Sequence, residues 1–320
     1  MINSLMNNLN VFLNLTKRHF LVFFKNKIRV LYTLLVPIII LLVYILFLRN
    51  LELSTVQNIL YELEVEATTE LATYINTLVD SWMLSGIIIL STITISIQTN
   101  NIIINDKENG VNRDFASSPI KNSYLIGSYF SFNFIVTMFL CLIVMLICFV
   151  YLAIMGEFFL TFIDFLIAFG VLTLSTATST LLTIFICSFI KHESTLASII
   201  AVFSTVAGFV IGAYMPLSMF PDWFRNICGF VPGAYSTDLM RFAFMATPLD
   251  GLSGLVSNLN LANGEELIND LFNSFGYEIN LFGTNINVGY QALINVGFVI
   301  LFMILNIFSV KYITKVVADN

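Results

Sequence analysis

Residues 81–105 read SWMLSGIIILSTITISIQTNNIIIN, with no Asp, Glu, Lys, Arg or His, and residues 106–120 follow as DKENGVNRDFASSPI. About 20 apolar residues suffice for a helix to cross the hydrocarbon core of a bilayer. A run of this length, closed by a sudden cluster of charges, reads as one crossing that ends in an exposed loop. Further charge-free runs lie at 30–48, 122–156, 165–190, 194–221 and 279–310. Six crossings follow, placed at about 30–49, 82–104, 125–152, 162–189, 196–217 and 288–310. The longer runs exceed one crossing, which tilt or interfacial ends accommodate. The expected fold class is all-α integral membrane.

Composition supports the same class. The chain has 320 residues, 58% of them hydrophobic and 11% charged, against about 45–50% and 25% in soluble domains. A soluble protein of this size could not bury so much apolar side chain, whereas a bilayer solvates it. One membrane domain over 1–320 is therefore expected in place of two soluble ones. Cys141, Cys148, Cys187 and Cys228 have no metal or redox spacing. Three of them lie inside apolar runs, where a thiol behaves as a small hydrophobe, so neither a disulfide framework nor a metal site is expected. Lys17, Arg18, Lys25, Lys27 and Arg29 precede the first apolar run, and Arg49-Asn50-Leu51-Glu52 follows it where a signal peptide would carry a small-residue cleavage site. That run reads as a retained helix.

Lys/Arg asymmetry orients the chain. With the N-terminus in the cytosol, 11 of the 14 basic residues fall in cytosolic segments, leaving Arg49, Arg225 and Arg241 outside. Acidic residues show the reverse skew, which is why a net charge of −6 does not describe an acidic surface. The expected location is a bacterial plasma membrane, with several passes and both termini cytosolic.

Four segments lie outside the crossings. Residues 8–27 place Asn10, Asn14, Lys17, Arg18 and Lys25 on one helical stripe with aromatic and aliphatic residues elsewhere, the pattern of a helix lying on the inner membrane face. Residues 50–81, with Glu62, Glu64, Glu66 and Glu70, form an external, partly helical segment. Residues 105–121 are the sizeable internal loop. Residues 218–287 are external: Pro221, Pro232 and Gly233 divide the first half into two short re-entrant or interfacial helices held against protein, and about 248–287 forms a polar cap.

What is missing narrows the function. No Gly-Lys dipeptide occurs, so there is no phosphate loop. The crossings contain no ionisable side chain of the sort that proton- or ion-coupled pumps place in the membrane, and no catalytic set lies within them. The chain is expected to carry neither catalytic residues nor a cofactor, and to need a separate energy source.

The loop carries Glu108, Gly110, Arg113, Asp114, Ser118 and Pro119, and in this it resembles the loop after the second span of type-2 ABC transporter permeases, the membrane subunits of exporters with this layout. Val111 stands where that family often has Thr. A second likeness runs through Gly208, Gly212, Pro216, Pro221, Trp223, Pro232, Asp238 and Arg241. The amphipathic N-terminal helix and the six-span layout extend the resemblance over nearly the whole chain except 50–81 and 248–287.

The resemblance implies a permease that binds two copies of a separate ATPase, which holds the ATP and Mg. It implies a second permease chain, as homodimer or heterodimer, and contact with membrane lipid; no nucleic acid partner is expected. Glu108, Gly110, Arg113, Asp114, Ser118 and Pro119, with Lys17 and Arg18 beside them, would couple to the ATPase. Gln98, Asn101, Ser204, Gly208 and Gly212 are candidates for the pathway or dimer axis, although Ser204, Gly208 and Gly212 equally suit close packing within one chain. The cargo would be amphiphilic or lipid-like, such as a drug, peptide antibiotic or toxin, with polysaccharide second. The reading from another class is a non-transporting scaffold or anchor subunit.

The orientation is testable by cysteine scanning. A membrane-impermeant thiol reagent added to intact cells should label positions in 255–280 and spare positions in 106–118. Labelling within 106–118 would invert the topology.

Overall fold

A segment in hydrocarbon must satisfy its own backbone N–H and C=O groups, which a helix does along its length. The computed structural model describes residues 2–63, 68–118, 120–258, 264–275, 280–281 and 284–314. The protein is all-α, 88% helical; the one ladder among the described residues pairs Asn280–Leu281 with Thr284–Asn285. Helix α1 spans Ile2–Lys25. Helix α2, Lys27–Val43, continues through a π turn at Tyr44–Leu48 into α3, Arg49–Glu62. Then come α4 (Thr69–Thr99), α5 (Asn101–Glu108), α6 (Val111–Ser117), α7 (Asn122–Met155), α8 (Phe162–Phe189) and α9 (Glu193–Val210). The chain closes with α10 (Asp222–Cys228), α11 (Pro232–Asn258), α12 (Gly264–Phe275) and α13 (Val288–Thr314).

Among the described residues, six segments are long and apolar enough to cross a membrane: Lys27–Glu62, Thr69–Glu108, Asn122–Met155, Phe162–Phe189, Glu193–Val210 and Val288–Ser309. The number matches the six charge-free runs, and the fourth matches its expected bounds, set by a capping box in which Thr161 and Asp164 bond each other's backbone. The first two are much longer than expected. Most of 50–81 is an extension of both helices rather than a loop, because Val56 and Leu60 on α3 and Leu71, Ile75 and Leu78 on α4 keep buried apolar residues at helical spacing through the acidic stretch. Glu64 and Glu66 lie outside the described residues.

Helix α4 is the centre of the bundle. The most apolar 18 residues of the α4–α5 segment are all buried, enclosed by α2, α7, α8, α9 and α11. Its polar residues fall into two groups. Ser85, Ser91 and Thr99 donate to carbonyls one turn back, at Ser81, Ile87 and Ile95. Thr92, Ser96 and Asn100, spaced by four, face Ser175, Ser179 and Thr183 of α8, also spaced by four. The Thr92 hydroxyl lies 3.0 and 2.9 Å from those of Ser175 and Ser179, Ser96 lies 2.6 Å from Thr183, and the Asn100 amide donates to Thr183 at 2.8 Å. Asn133 of α7 joins through Ser96. Such bonds contribute only about 0.6 kcal/mol each. Their effect is on register, since a slip of one residue would leave the whole row without partners.

Helix α9 ends early, at Val210 rather than near residue 217. Gly212 adopts φ 71°, Ala213 N–H bonds the Gly208 carbonyl at 2.8 Å and Gly212 N–H bonds the Phe209 carbonyl at 3.1 Å. This is a Schellman stop, which requires a residue that tolerates the left-handed region. The chain turns back so that a Cβ on Gly86 would sit 2.8 Å from the Ala213 Cα, and a Cβ on Gly208 would sit 2.0 Å from the Tyr214 ring.

The region after α9 departs from two short pieces. Only α10 is short. Pro232 opens α11, where a missing N–H is harmless, and the helix runs 27 residues through Pro248 to Asn258. Residues 249–258 therefore belong to α11 and not to a separate cap. The helix runs antiparallel to α4: Gly233 meets Ile93, Arg241 covers the Trp82 ring at 4.1 Å, and Gly251 meets Tyr74. Helix α11 thus starts level with Ile93, in the last third of α4, and runs back alongside it toward Tyr74. Of the remaining cap, 259–263, 276–279 and 282–283 lie outside the described residues.

Gly208→Ala should destabilise the fold by about 1–3 kcal/mol through overpacking, read as a lower melting temperature and lower yield in detergent. Pairing it with Tyr214→Leu should restore much of the loss. Full stability of Gly208→Ala alone would show that the reversal does not need this close approach.

Candidate functional site

Three neighbouring residues near the end of α5 are tied to the bundle or aligned for it. Lys107 is buried, and its ammonium donates to the carbonyls of Cys187, Ser188 and Ile190 at 2.9, 2.7 and 2.8 Å. A cation at the C-terminus of α8 also meets the negative end of that helix's dipole. Asp106 accepts two bonds from the Arg18 guanidinium, at 2.8 and 2.6 Å, and one from the Tyr129 hydroxyl at 2.7 Å, joining α1 and α7. Beside it His19 is buried, stacked on Tyr129 at 4.2 Å and 3.1 Å from the Ser128 hydroxyl. Glu108 accepts from the backbone N–H of Glu193 at the start of α9, at 3.1 Å, and lies 3.7 Å from the His192 ring.

Gly110, at φ 74°, then reverses the chain between α5 and α6. Asn112 on α6 donates to the carbonyl of Ile313 in α13 at 2.9 Å. The short α5–α6 pair is thus connected to five other helices. Its outer side presents Arg113 and Asp114, both exposed and without an ion pair among the described residues.

The residues singled out from the sequence fall into three situations. Glu108, Gly110, Arg113, Asp114 and Ser118 share this turn. Pro119 lies outside the described residues. Lys17 is exposed on α1, but Arg18 turns inward to Asp106, with Phe115 beneath it at 5.5 Å. Helix α1 has three faces: Leu15, Thr16, His19 and Phe23 are buried in the bundle, Asn10, Asn14 and Lys17 are exposed, and Leu9, Leu13 and Phe24 form an exposed apolar stripe.

Residues proposed for a pathway are less unified. Gln98 bonds its own helix at the Thr94 carbonyl. Asn101 and Ser204 each hold a buried side-chain oxygen without a partner. Gly208 and Gly212 form the α9 stop described above, a role within the chain. Of the external set, Pro221 and Trp223 are exposed, while Pro232, Asp238 and Arg241 are buried in α11.

The chain matches the family model of the ABC-2 type transporter over residues 10–245. It belongs to that family. The protein is therefore a multi-pass permease subunit of an ABC transporter, a class that works with a partner ATPase. No curated protein and no solved structure matches the chain.

At the opposite end of the permease is an ionic cluster that the sequence reading did not assemble. Arg49, just past the π turn, donates to both oxygens of Asp80 at 2.9 and 3.1 Å and to Glu157 at 3.1 Å. The hydroxyls of Tyr44 and Tyr151 also donate to Asp80. Ionising both carboxylates against one cation would leave the buried cluster with excess negative charge. In the loop between α7 and α8, burial and the neighbouring Asp80 carboxylate push the Glu157 carboxyl up from 4.5 to about 8, against the opposing pull of Arg49. A signal was present in the sequence: three isolated charges of mixed sign, each adjoining an apolar run.

A raised carboxyl binds its proton more tightly in the folded state. Stability from Glu157 is therefore fully present below about pH 4.5 and lost as pH rises through about 8. Melting of the purified permease should show a larger drop between about pH 5 and pH 8.5 than Glu157→Gln does. Identical pH profiles for the two proteins would remove Glu157 from the account.

Proposed function

We propose that the permease is the membrane half of an exporter. It works as a dimer with two copies of a separate ATPase docked at the α5–α6 turn, with α1 alongside. The observation that carries this is the rigid attachment of the turn. Arg113 and Asp114 face outward, while Asp106, Lys107 and Asn112 beside them bond to α1, α7, α8 and α13. A push on the outer face would reach the buried α4 directly and several other helices at once, which suits bundles that rock about an interface.

On the same reading, α10 and the first half of α11 are re-entrant from the outer side, which the start of α11 beside Ile93, well inside the second crossing, supports. Apolar and aromatic surfaces with scattered hydroxyls suit an amphiphilic cargo. Export direction is supported by the resemblance of the Glu108–Pro119 loop to that of exporter permeases.

The purified permease should hydrolyse no ATP, and activity should appear with the partner ATPase. Arg113→Glu and Asp114→Arg should each lower coupled transport about tenfold, near 1.4 kcal/mol of docking energy, while melting stays unchanged because both side chains are free of internal bonds. Nucleotide-free transport driven by a proton gradient in vesicles would overturn the proposal.

A further inference from the structure

Helix α1 ends at Lys25 and α2 begins at Lys27, so the chain turns a corner on a single residue, Asn26. A cavity of about 480 Å³ opens at this corner, and its lining includes Lys25, Asn26, Lys27, Ile28 and Arg29 together with Asn105 of α5. One of the three cations is answered from within. The Arg29 guanidinium lies 3.8 Å from the Glu193 carboxylate, which also accepts from the Asn105 amide at 2.9 Å. Lys25 and Lys27 are exposed and have no ion pair among the described residues. Asn26 adds donors. Its Oδ1 accepts from the Arg29 N–H at 3.1 Å, capping α2, and its amide nitrogen is left without a bond to the described residues. The opening thus presents two uncompensated positive charges and a free amide, a set that suits an anion with several acceptor oxygens.

Lysines at the end of a crossing ordinarily extend to water one by one. Here they border a common cavity, and that cavity touches the apolar surface of the first crossing. Ile28 lines it, and Leu31, Tyr32, Leu35, Ile39 and Leu42 continue the same face of α2 at helical spacing, all exposed. Thr33, Pro37 and Leu41 are buried on the opposite face. A soluble anion would leave the exposed stripe unused, and an acidic protein segment could not follow it into hydrocarbon. An anion that carries its own acyl chains matches both parts.

We propose that the corner between α1 and α2 is a binding site for the anionic headgroup of a phospholipid, whose acyl chains lie along the exposed face of α2. The site is independent of the exporter reading and of which leaflet faces the cytosol.

The test uses the full-length permease in neutral maltoside micelles, with bound lipids counted by native mass spectrometry. Dioleoylphosphatidylglycerol should bind about tenfold more tightly than dioleoylphosphatidylcholine, which has the same chains and phosphodiester but no net charge. Lys25→Gln with Lys27→Gln should remove that preference. Lys121→Gln, at an exposed cation preceding α7, should leave it intact. Lys27→Gln alone should lower the preference about threefold and carries the test if the double variant fails to fold. Equal affinity for the two lipids, a preference that survives the double substitution, or an equal loss in Lys121→Gln overturns the proposal. Displacement of phosphatidylglycerol by millimolar inorganic phosphate would overturn it in favour of a soluble anion. Displacement by an oligoglutamate peptide would overturn it in favour of a protein-docking surface.

Discussion

Burying α4 on every side removes water and lipid as partners for its side chains, so each polar group on it must bond within the protein. That constraint organises the bundle. Hydroxyls facing no other helix turn back on the α4 backbone, and those facing α8 meet an equal row of hydroxyls at the same spacing. The individual bonds are weak, and apolar packing holds the helices together. What the polar seam supplies is a single allowed alignment of α4, α7 and α8, on which the placement of everything at either end depends.

Both ends are fixed by charge. At one end Lys107 closes the last carbonyls of α8, and Asp106 gathers Arg18 and Tyr129 around itself. At the other end Arg49 gathers Asp80 and Glu157. These residues lie on or next to α4, so a displacement of the central helix must either carry its neighbours along or break buried ionic bonds. The α5–α6 turn is therefore bonded to helices that are themselves tied together at both ends.

The fold class and the six crossings were legible because hydrocarbon demands long runs without charge, and such runs are visible residue by residue. The family turn was legible because Glu108, Gly110 and Ser118 lie close together in sequence. Helix α11 was misread: Pro232 and Gly233 suggested a break and two short pieces, yet Pro232 occupies a helix start and a single long helix packs against α4, α8 and α13. The ridge of Ser204, Gly208 and Gly212 could not be assigned from spacing, because a glycine that admits a neighbouring chain and a glycine that admits Tyr214 look the same. The ionic clusters escaped notice because they join residues as far apart as Arg49 and Glu157, or Arg18 and Asp106, and distance along a chain says nothing of proximity across a bundle.

The π turn at Tyr44–Leu48, closed by the Arg49 N–H on the Tyr44 carbonyl, amounts to one residue more than an α-helix would hold there. Its effect is rotational rather than axial. Every residue beyond it is turned by about 100°, and it is this turn that swings Arg49 from the lipid-facing side of the first crossing toward Asp80. Without the extra residue α3 would present a different face to the bundle, and Asp80 would need another cation beside it.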